Sequence, residues 1–133
     1  MPLAKHLATA LFATVLTLAT CAVSRAATPA PFNDQAFQAS QQQGKPILVE
    51  ITASWCTVCA QQRPILARLL ADPRFRDVVV YNVDFDTQKN VVRAMGASMQ
   101  GTLIVFSGSA EKGRSVSVTD PAAIESLLAK TNS

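Results

Sequence analysis

The chain has few of the side chains that hold metals or haem. It contains one histidine, His6, and three cysteines, Cys21, Cys56 and Cys59, within 133 residues. A structural zinc site takes four ligands, usually cysteine or histidine, and only Cys56 and Cys59 lie beyond the first 26 residues. Covalent haem attachment requires a CxxCH motif, but Ala60 follows Cys59. These absences predict that a single chain holds neither a structural zinc ion nor a covalently attached haem.

A strong excess of basic charge is also missing. The formal net charge is +3, and two of the basic residues, Lys5 and Arg25, lie in an N-terminal segment that we expect to be removed. Without these two residues the net charge of +3 falls to +1, whereas nucleic-acid-binding domains usually carry a clustered basic surface. The charge therefore gives no reason to expect a nucleic acid partner.

The first 26 residues have the pattern of an export signal. Lys5 precedes an uncharged run over residues 7–23, and the segment closes on small residues up to Ala26, as signal peptidases require. We predict cleavage after Ala26 and a periplasmic or otherwise exported location. Two alternatives remain open. One is an uncleaved anchor, for which the run is short, and the other is a lipoprotein attached through Cys21, which follows the lipobox-like residues 18–20.

The remaining sequence alternates between helical patterns and short apolar runs. Residues 27–32 are predicted to be a flexible lead-in, and residues 33–133 are predicted to form one α/β domain. We expect a kink in the second helix, because Pro64 lies inside it. Strands separated by helices imply parallel crossovers, and the last two strands should form a hairpin after a turn at 107–113. The predicted helices are 33–43, 57–71, 88–95 and 121–130, and the predicted strands are 46–52, 78–83, 102–106 and 114–118.

Cys56 and Cys59 are placed for redox chemistry. A bridge between them would close too short a loop to stabilise the fold much. Cys56 is predicted at the start of a helix and Cys59 one turn inside it, on the same helix face and within disulfide range. The free amides and the helix dipole favour a thiolate at Cys56. We therefore expect Cys56 to attack a disulfide and Cys59 to resolve the mixed disulfide.

Glu50 lies inside the apolar run of residues 46–52. Burial raises the pKa of a carboxyl group, and a buried carboxyl near the cysteines could accept the proton that Cys59 must lose. The alternative is that the Glu50 side chain reaches solvent or Lys45. The functional interpretation is favoured, because a buried acid is costly without a use.

The sequence around the cysteines resembles the thioredoxin family. Residues 47–59, ILVEITASWCTVC, are similar to the thioredoxin segment in which a strand with a buried acid leads to Trp-Cys-x-x-Cys. Pro64 stands where thioredoxins carry a helix-kinking proline. The segments 44–46, 57–58 and 72–73 resemble one branch, the periplasmic C-terminal thioredoxin-like domain of DsbD-type disulfide reductases.

The resemblance implies a thioredoxin fold, with a βαβαββα core, an additional N-terminal helix and a mixed four-stranded sheet flanked by helices. It implies that Cys56 is the nucleophile, Cys59 the resolving thiol and Glu50 the buried acid, and it implies no organic cofactor. The implied partners are exported proteins with disulfides or thiols, with a membrane thiol carrier as electron donor. We expect the protein to be a monomer.

Five further residues are predicted to contact the substrate. Trp55 should pack beside the cysteines, and Thr57 and Val58 lie between them and should tune their reduction potential. By resemblance, Gly101 occupies the place of a cis-proline that precedes Thr102 and faces the dithiol in the family. Glycine does not fix its own backbone angles, so substrate docking should be looser or differently specific.

The sequence therefore predicts an exported thiol–disulfide oxidoreductase that acts in the reducing direction. Two alternatives remain open. One is a non-catalytic binding module for an apocytochrome or a metal-delivery protein. The other is a metal or iron–sulfur site formed by the Cys56 and Cys59 pairs of two chains.

Overall fold

The structure is a computed structural model that describes residues 26–133. Residues 1–25 of the predicted export signal, including Cys21, lie outside the described residues. Among residues 26–133, none of the helices combines the length and the apolar character needed to cross a bilayer. The elements in chain order are β1 Ala30–Pro31, α1 Asp34–Gln42, β2 Pro46–Thr52, α2 Thr57–Leu70, β3 Val79–Asp84, α3 Lys89–Ala94, β4 Thr102–Ser107, β5 Ala110–Val116 and α4 Pro121–Ala129, with 3-10 turns at Pro73–Phe75 and Lys130–Asn132.

The strands form one mixed sheet in the order β1-β3-β2-β4-β5. The central strand β2 runs parallel to β3 and antiparallel to β4, and β4 and β5 form the predicted hairpin. Helix α2 continues through Pro64 to Leu70. The predicted order of helices and strands is therefore confirmed from α1 onwards.

The prediction of four strands is wrong, because the sheet has five. Ala30 and Pro31, inside the predicted flexible lead-in, pair in parallel with Tyr81 and Asn82 of β3. The pairing continues into the next residue, where the Phe32 amide donates to the Asn82 carbonyl at 2.8 Å. Two residues are too few to show a period-2 pattern, so only the long-range partner reveals this strand.

The start of β5 also differs from the prediction. The hairpin turn consists of residues 108–109 rather than 107–113, and β5 begins at Ala110 rather than Arg114. Gly108 adopts a φ of 57° in this turn, which suits a tight hairpin connection. Val105 pairs with Gly113 but Phe106 pairs with Glu111, so Lys112 is an extra residue in a bulge. Gly113 marks this bulge and not the end of the turn.

The sheet separates two apolar cores, and alternate residues of β2 contribute to each. Leu48 belongs to the core beneath α2 and α4, whereas Ile47 and Val49 belong to the core beneath α1 and α3. All three are at most 1% exposed, as expected for a strand covered on both faces. Because side chains alternate along a strand, Glu50 shares the face of Leu48 and points towards α2.

Phe37 is expected to be a main stabilising residue of the core beneath α1 and α3. Its ring lies 5.3 to 5.8 Å from the rings of Phe32, Tyr81 and Phe106, centroid to centroid. Phe37→Ala should lower the free energy of unfolding by about 3 kcal/mol, since truncating a buried phenylalanine removes apolar contacts and leaves a cavity. Urea denaturation measures the change, with Gln38→Ala on the exposed side of α1 as control. Equal effects of the two substitutions would contradict this assignment of the core.

Candidate active site

Cys56 and Cys59 lie at the start of α2 and are joined by a disulfide bond. Cys56 is the N-cap residue of the helix, and its Sγ accepts a hydrogen bond from the Cys59 amide at 3.0 Å. Both are nearly buried, with 5% of Cys56 and 3% of Cys59 exposed. In the reduced protein the same amide and the helix dipole stabilise a thiolate at Cys56. The predicted placement of both cysteines is confirmed.

Glu50 is buried on the face of the sheet that α2 covers, with 8% of the residue exposed. Burial raises the pKa of its carboxyl group, and a hydrogen bond from Asn82 and the positive charge of Arg63 partly oppose the rise. The Asn82 Oδ1 atom accepts a hydrogen bond from Thr52 Oγ1 at 2.7 Å, which leaves the Asn82 amide nitrogen to donate to Glu50. The structure thus places Glu50 among polar neighbours in the interior, not at Lys45.

A small cavity connects Glu50 with Cys59. Its volume is about 30 Å³, which is enough for one water molecule. Glu50 also borders a larger cavity of about 290 Å³, whose wall includes Ala27 and Leu70. Glu50 therefore lines both the small cavity that it shares with Cys59 and the wider one. The small cavity is lined by Glu50, Thr52, Cys59, Gln62, Arg63, Leu66 and Asn82.

The loop before β4 packs against the segment between the cysteines. Gly101 has a φ of 74°, and its amide donates to the Ile51 carbonyl at 2.7 Å. A Cβ atom at this position would lie 2.9 Å from Val58 Cγ1, so the close approach requires glycine. No peptide bond is cis among residues 26–133. The predicted juxtaposition of Gly101 with the dithiol is present, with a trans peptide bond before it.

The five residues predicted to contact the substrate divide into two groups. Trp55 is 57% exposed and Thr57 is also exposed, while Val58 is half-buried. Gly101 and Thr102 are buried, and the Thr102 hydroxyl donates to the Met99 carbonyl at 2.6 Å within the loop. The Thr102 side chain therefore bonds within the loop and is closed to solvent, and its contact with a substrate stays a prediction.

Three exposed apolar side chains lie on segments around the dithiol. The large apolar side chains that are exposed in the described part of the chain are Trp55, Met99 and Val116. Trp55 precedes Cys56, Met99 lies in the loop that packs on the dithiol segment, and Val116 pairs with Thr102. We define these three residues as the apolar rim. Met99 and Val116 were not predicted, because nothing in their local sequence distinguishes them from ordinary loop and strand residues.

The contacts of Trp55 and of Gln62 in α2 were also missed. The Trp55 indole N–H donates to Asp86 Oδ2 at 2.8 Å, and its ring meets Phe85 edge-on at 6.5 Å between centroids. Gln62 is 2% exposed and donates from Nε2 to the carbonyls of Gly101 and Val118. The burial of Gln62 could have been predicted from the sequence, because Gln62 is a polar residue at a position in the apolar stripe that Leu66 continues.

Comparison with known proteins agrees with this geometry. The Thioredoxin family profile matches residues 28–130. A thioredoxin of Chlamydia muridarum is 31% identical over 84 residues, which are 63% of this chain and 80% of the relative. A thioredoxin of Aspergillus fumigatus is 27% identical over 93 residues, or 69% of this chain and 84% of the relative. The crystal structure of Trxlp from Edwardsiella tarda is 40% identical, with a TM-score of 0.74, and the match covers 76% of this chain and 98% of that one.

These similarities confirm the thioredoxin fold, here with a mixed five-stranded sheet flanked by helices. The Cys56–Cys59 pair is in place, as a disulfide at the start of α2. The protein is therefore a thiol–disulfide oxidoreductase, and the chain belongs to the thioredoxin family.

Proposed function

We propose that this protein is exported and reduces disulfide bonds of other exported proteins, with Cys56 as nucleophile and Cys59 as resolving thiol. The observation that carries the proposal is the hydrogen bond from the Cys59 amide to Cys56 Sγ at 3.0 Å. It gives the sulfur at the helix start a donor that stabilises negative charge, which makes Cys56 both the better attacking group and the better leaving group. Cys59 lies one turn further in, where a substrate reaches it less easily.

The reaction begins with the reduced protein. The Cys56 thiolate attacks one sulfur of the substrate disulfide, a mixed disulfide forms, and the other substrate sulfur leaves as a thiolate that takes up a proton. Cys59 then loses its proton, and its thiolate attacks Cys56 Sγ. The second substrate thiolate leaves, and the Cys56–Cys59 disulfide forms. Two electrons have passed from the dithiol to the substrate.

Glu50 is the proposed acceptor of the Cys59 proton. It borders the same small cavity as Cys59, and burial raises the pKa of its carboxyl group towards the range in which proton exchange with a thiol is efficient. One water molecule in this cavity would bridge the two groups. The larger cavity beyond Glu50 then offers the proton a way out of the interior.

Other observations support the proposed export of the protein and the proposed reducing direction of its reaction. The first 26 residues have the charge and hydropathy pattern of an export signal. The segments 44–46, 57–58 and 72–73 resemble the periplasmic C-terminal thioredoxin-like domain of DsbD-type disulfide reductases. This resemblance and the buried Glu50 support the reducing direction and a membrane thiol carrier as electron donor.

Removing one cysteine at a time should separate the two steps. Cys56→Ser should reduce insulin, with DTT as electron source, no faster than DTT alone, because the attacking thiolate is lost. Cys59→Ser should still attack and should accumulate a mixed disulfide through Cys56, which mass spectrometry detects after expression with the native N-terminal segment. The double variant is the control for trapping. Insulin turnover by Cys56→Ser at the wild-type rate would refute the assignment of the nucleophile.

Replacing the buried acid should slow the second step. In Glu50→Gln, closure of the Cys56–Cys59 disulfide at neutral pH should be at least about tenfold slower, since general base catalysis is lost. In the wild type the closure rate should rise through an ionisation above the ordinary pKa of 4.5, and this ionisation should vanish in the variant. Stopped-flow measurement across pH gives both results. Asp77→Asn, at an exposed site, is the control, and a matching loss there would argue against a role for Glu50.

The same substitution should stabilise the fold above the ordinary pKa of Glu50. The folded-state pKa is raised above 4.5, so the folded protein binds more protons than the unfolded chain in the interval between the two values. Stability therefore falls as pH rises through that interval. Glu50→Gln should have a higher free energy of unfolding than the wild type at about pH 8, and the difference should shrink below about pH 4. Urea titrations at both pH values measure this, and a less stable variant at the higher pH would contradict the sign.

A further inference from the structure

Gln62 is a buried amide on a helix face that is otherwise apolar. It is 2% exposed, and it lies between Cys59 and Leu66 on the side of α2 that faces the sheet. Its Nε2 atom donates to the Gly101 carbonyl at 3.1 Å and to the Val118 carbonyl at 2.9 Å. The two partners are 39 and 56 residues away in the chain. One side chain therefore links the dithiol helix to two distant segments.

The chemistry of the contact requires a group with two donors. Both partners are carbonyl oxygens, so a hydroxyl, which has one hydrogen, or a carboxylate, which has none, cannot serve both. The Gly101 carbonyl also accepts from the Ser117 amide at 3.0 Å, and Gln62 takes up its second lone pair. Ser117 has a φ of 57°, a conformation rarely adopted by residues other than glycine. The chain thus has an uncommon backbone conformation at Ser117, whose amide donates to Gly101, just before Val118, whose carbonyl accepts from Gln62.

The two segments that Gln62 holds carry two of the three residues of the apolar rim. Met99 lies in the loop that ends at Gly101, and Val116 lies at the end of β5, immediately before Ser117 and Val118. Gly101 does not hold its own conformation through a side chain. Its amide donates to the Ile51 carbonyl of β2 at 2.7 Å, and the Gln62 hydrogen bond and contact with Val58 join it to α2.

We propose that Gln62 is a positioning residue for protein substrates: its carboxamide fixes the Gly101 loop and the Val118 segment to α2, and so holds Met99 and Val116 at the right place beside Cys56. This inference rests on the proposed reduction of protein disulfides. A protein substrate must dock on the apolar rim while its sulfur meets Cys56, whereas a small disulfide needs only the thiolate. Gln62 therefore selects for protein disulfides without touching the reacting atoms.

The test compares Gln62→Leu with Gln61→Leu, an exposed neighbour on the same helix. Leucine keeps most of the volume of glutamine and removes both donors. For insulin, Gln62→Leu should raise KM about fivefold, the loss expected when about one net hydrogen bond no longer supports docking, with kcat little changed. Reduction of 2-hydroxyethyl disulfide, which reports any change in the small cavity that Gln62 also lines, should slow by a clearly smaller factor than insulin reduction. Gln61→Leu should leave both reactions unchanged.

A second measurement needs no variant. In the wild-type protein, the Gln62 side-chain amide hydrogens should exchange with solvent much more slowly than those of exposed Gln61, as NMR detects. Gln62→Met repeats the kinetic test if Gln62→Leu does not fold. Equal exchange of the two side-chain amides, an unchanged KM for insulin, or an equal slowing of insulin and the small disulfide would each overturn the proposal. Failure of the proposed function looks different, because the wild type would then reduce neither substrate while Gln62 remained protected.

Discussion

The N-cap group of helix α2 is the sulfur of Cys56. The preferred N-cap groups of helices are the side-chain oxygens of serine, threonine, aspartate and asparagine. The Cys56 Sγ accepts from the Cys59 amide, so the group that completes the helix is also the group that reacts. Cys56 can both cap the helix and react only if the start of α2 has a fixed position. Strand β2 fixes it, since its residues are buried on both faces and pair with β3 on one side and β4 on the other. Redox chemistry at this site is thus a consequence of how firmly the central strand is held.

The same strand contains the group of the site whose burial is least favourable, the carboxyl group of Glu50. Glu50 lies between the apolar residues Val49 and Ile51 of β2, and Asn82 and Arg63 offset the effect of its burial only in part. Thr52 and Asn82 are bonded to each other within the same group. The result is a polar cluster between the sheet and α2, bordered by Leu66. Burial of this carboxyl group lowers the stability of the fold, and it is the group that we propose as acceptor of the Cys59 proton.

The sequence predicted best those elements whose neighbouring residues already carry the pattern of the folded structure. The apolar run of β2, the change to helical spacing at Thr57 and the positions of Cys56 and Cys59 can all be derived from neighbouring residues, because burial on both faces and helix capping have local signatures. The strand β1 has no such signature. Its two residues become a strand only through Tyr81 and Asn82.

The functional side chains show the same division. The roles proposed for the cysteines and Glu50 follow from residue type and spacing, whereas the partners of Gln62 and the members of the apolar rim depend on segments that meet only after folding. The start of β5 was misplaced because an exposed edge strand is mostly polar, so its sequence resembles that of a loop.

The bulge at Lys112 has a consequence for how other chains can approach the sheet. β5 is an edge strand, and open edges invite a foreign strand to add by backbone pairing. Here the extra residue distorts the ladder, and charged side chains line the edge from Glu111 to Arg114. At the opposite edge, β1 offers only two residues, one of them a proline without an amide hydrogen. Growth of extended intermolecular sheets is therefore disfavoured at both edges.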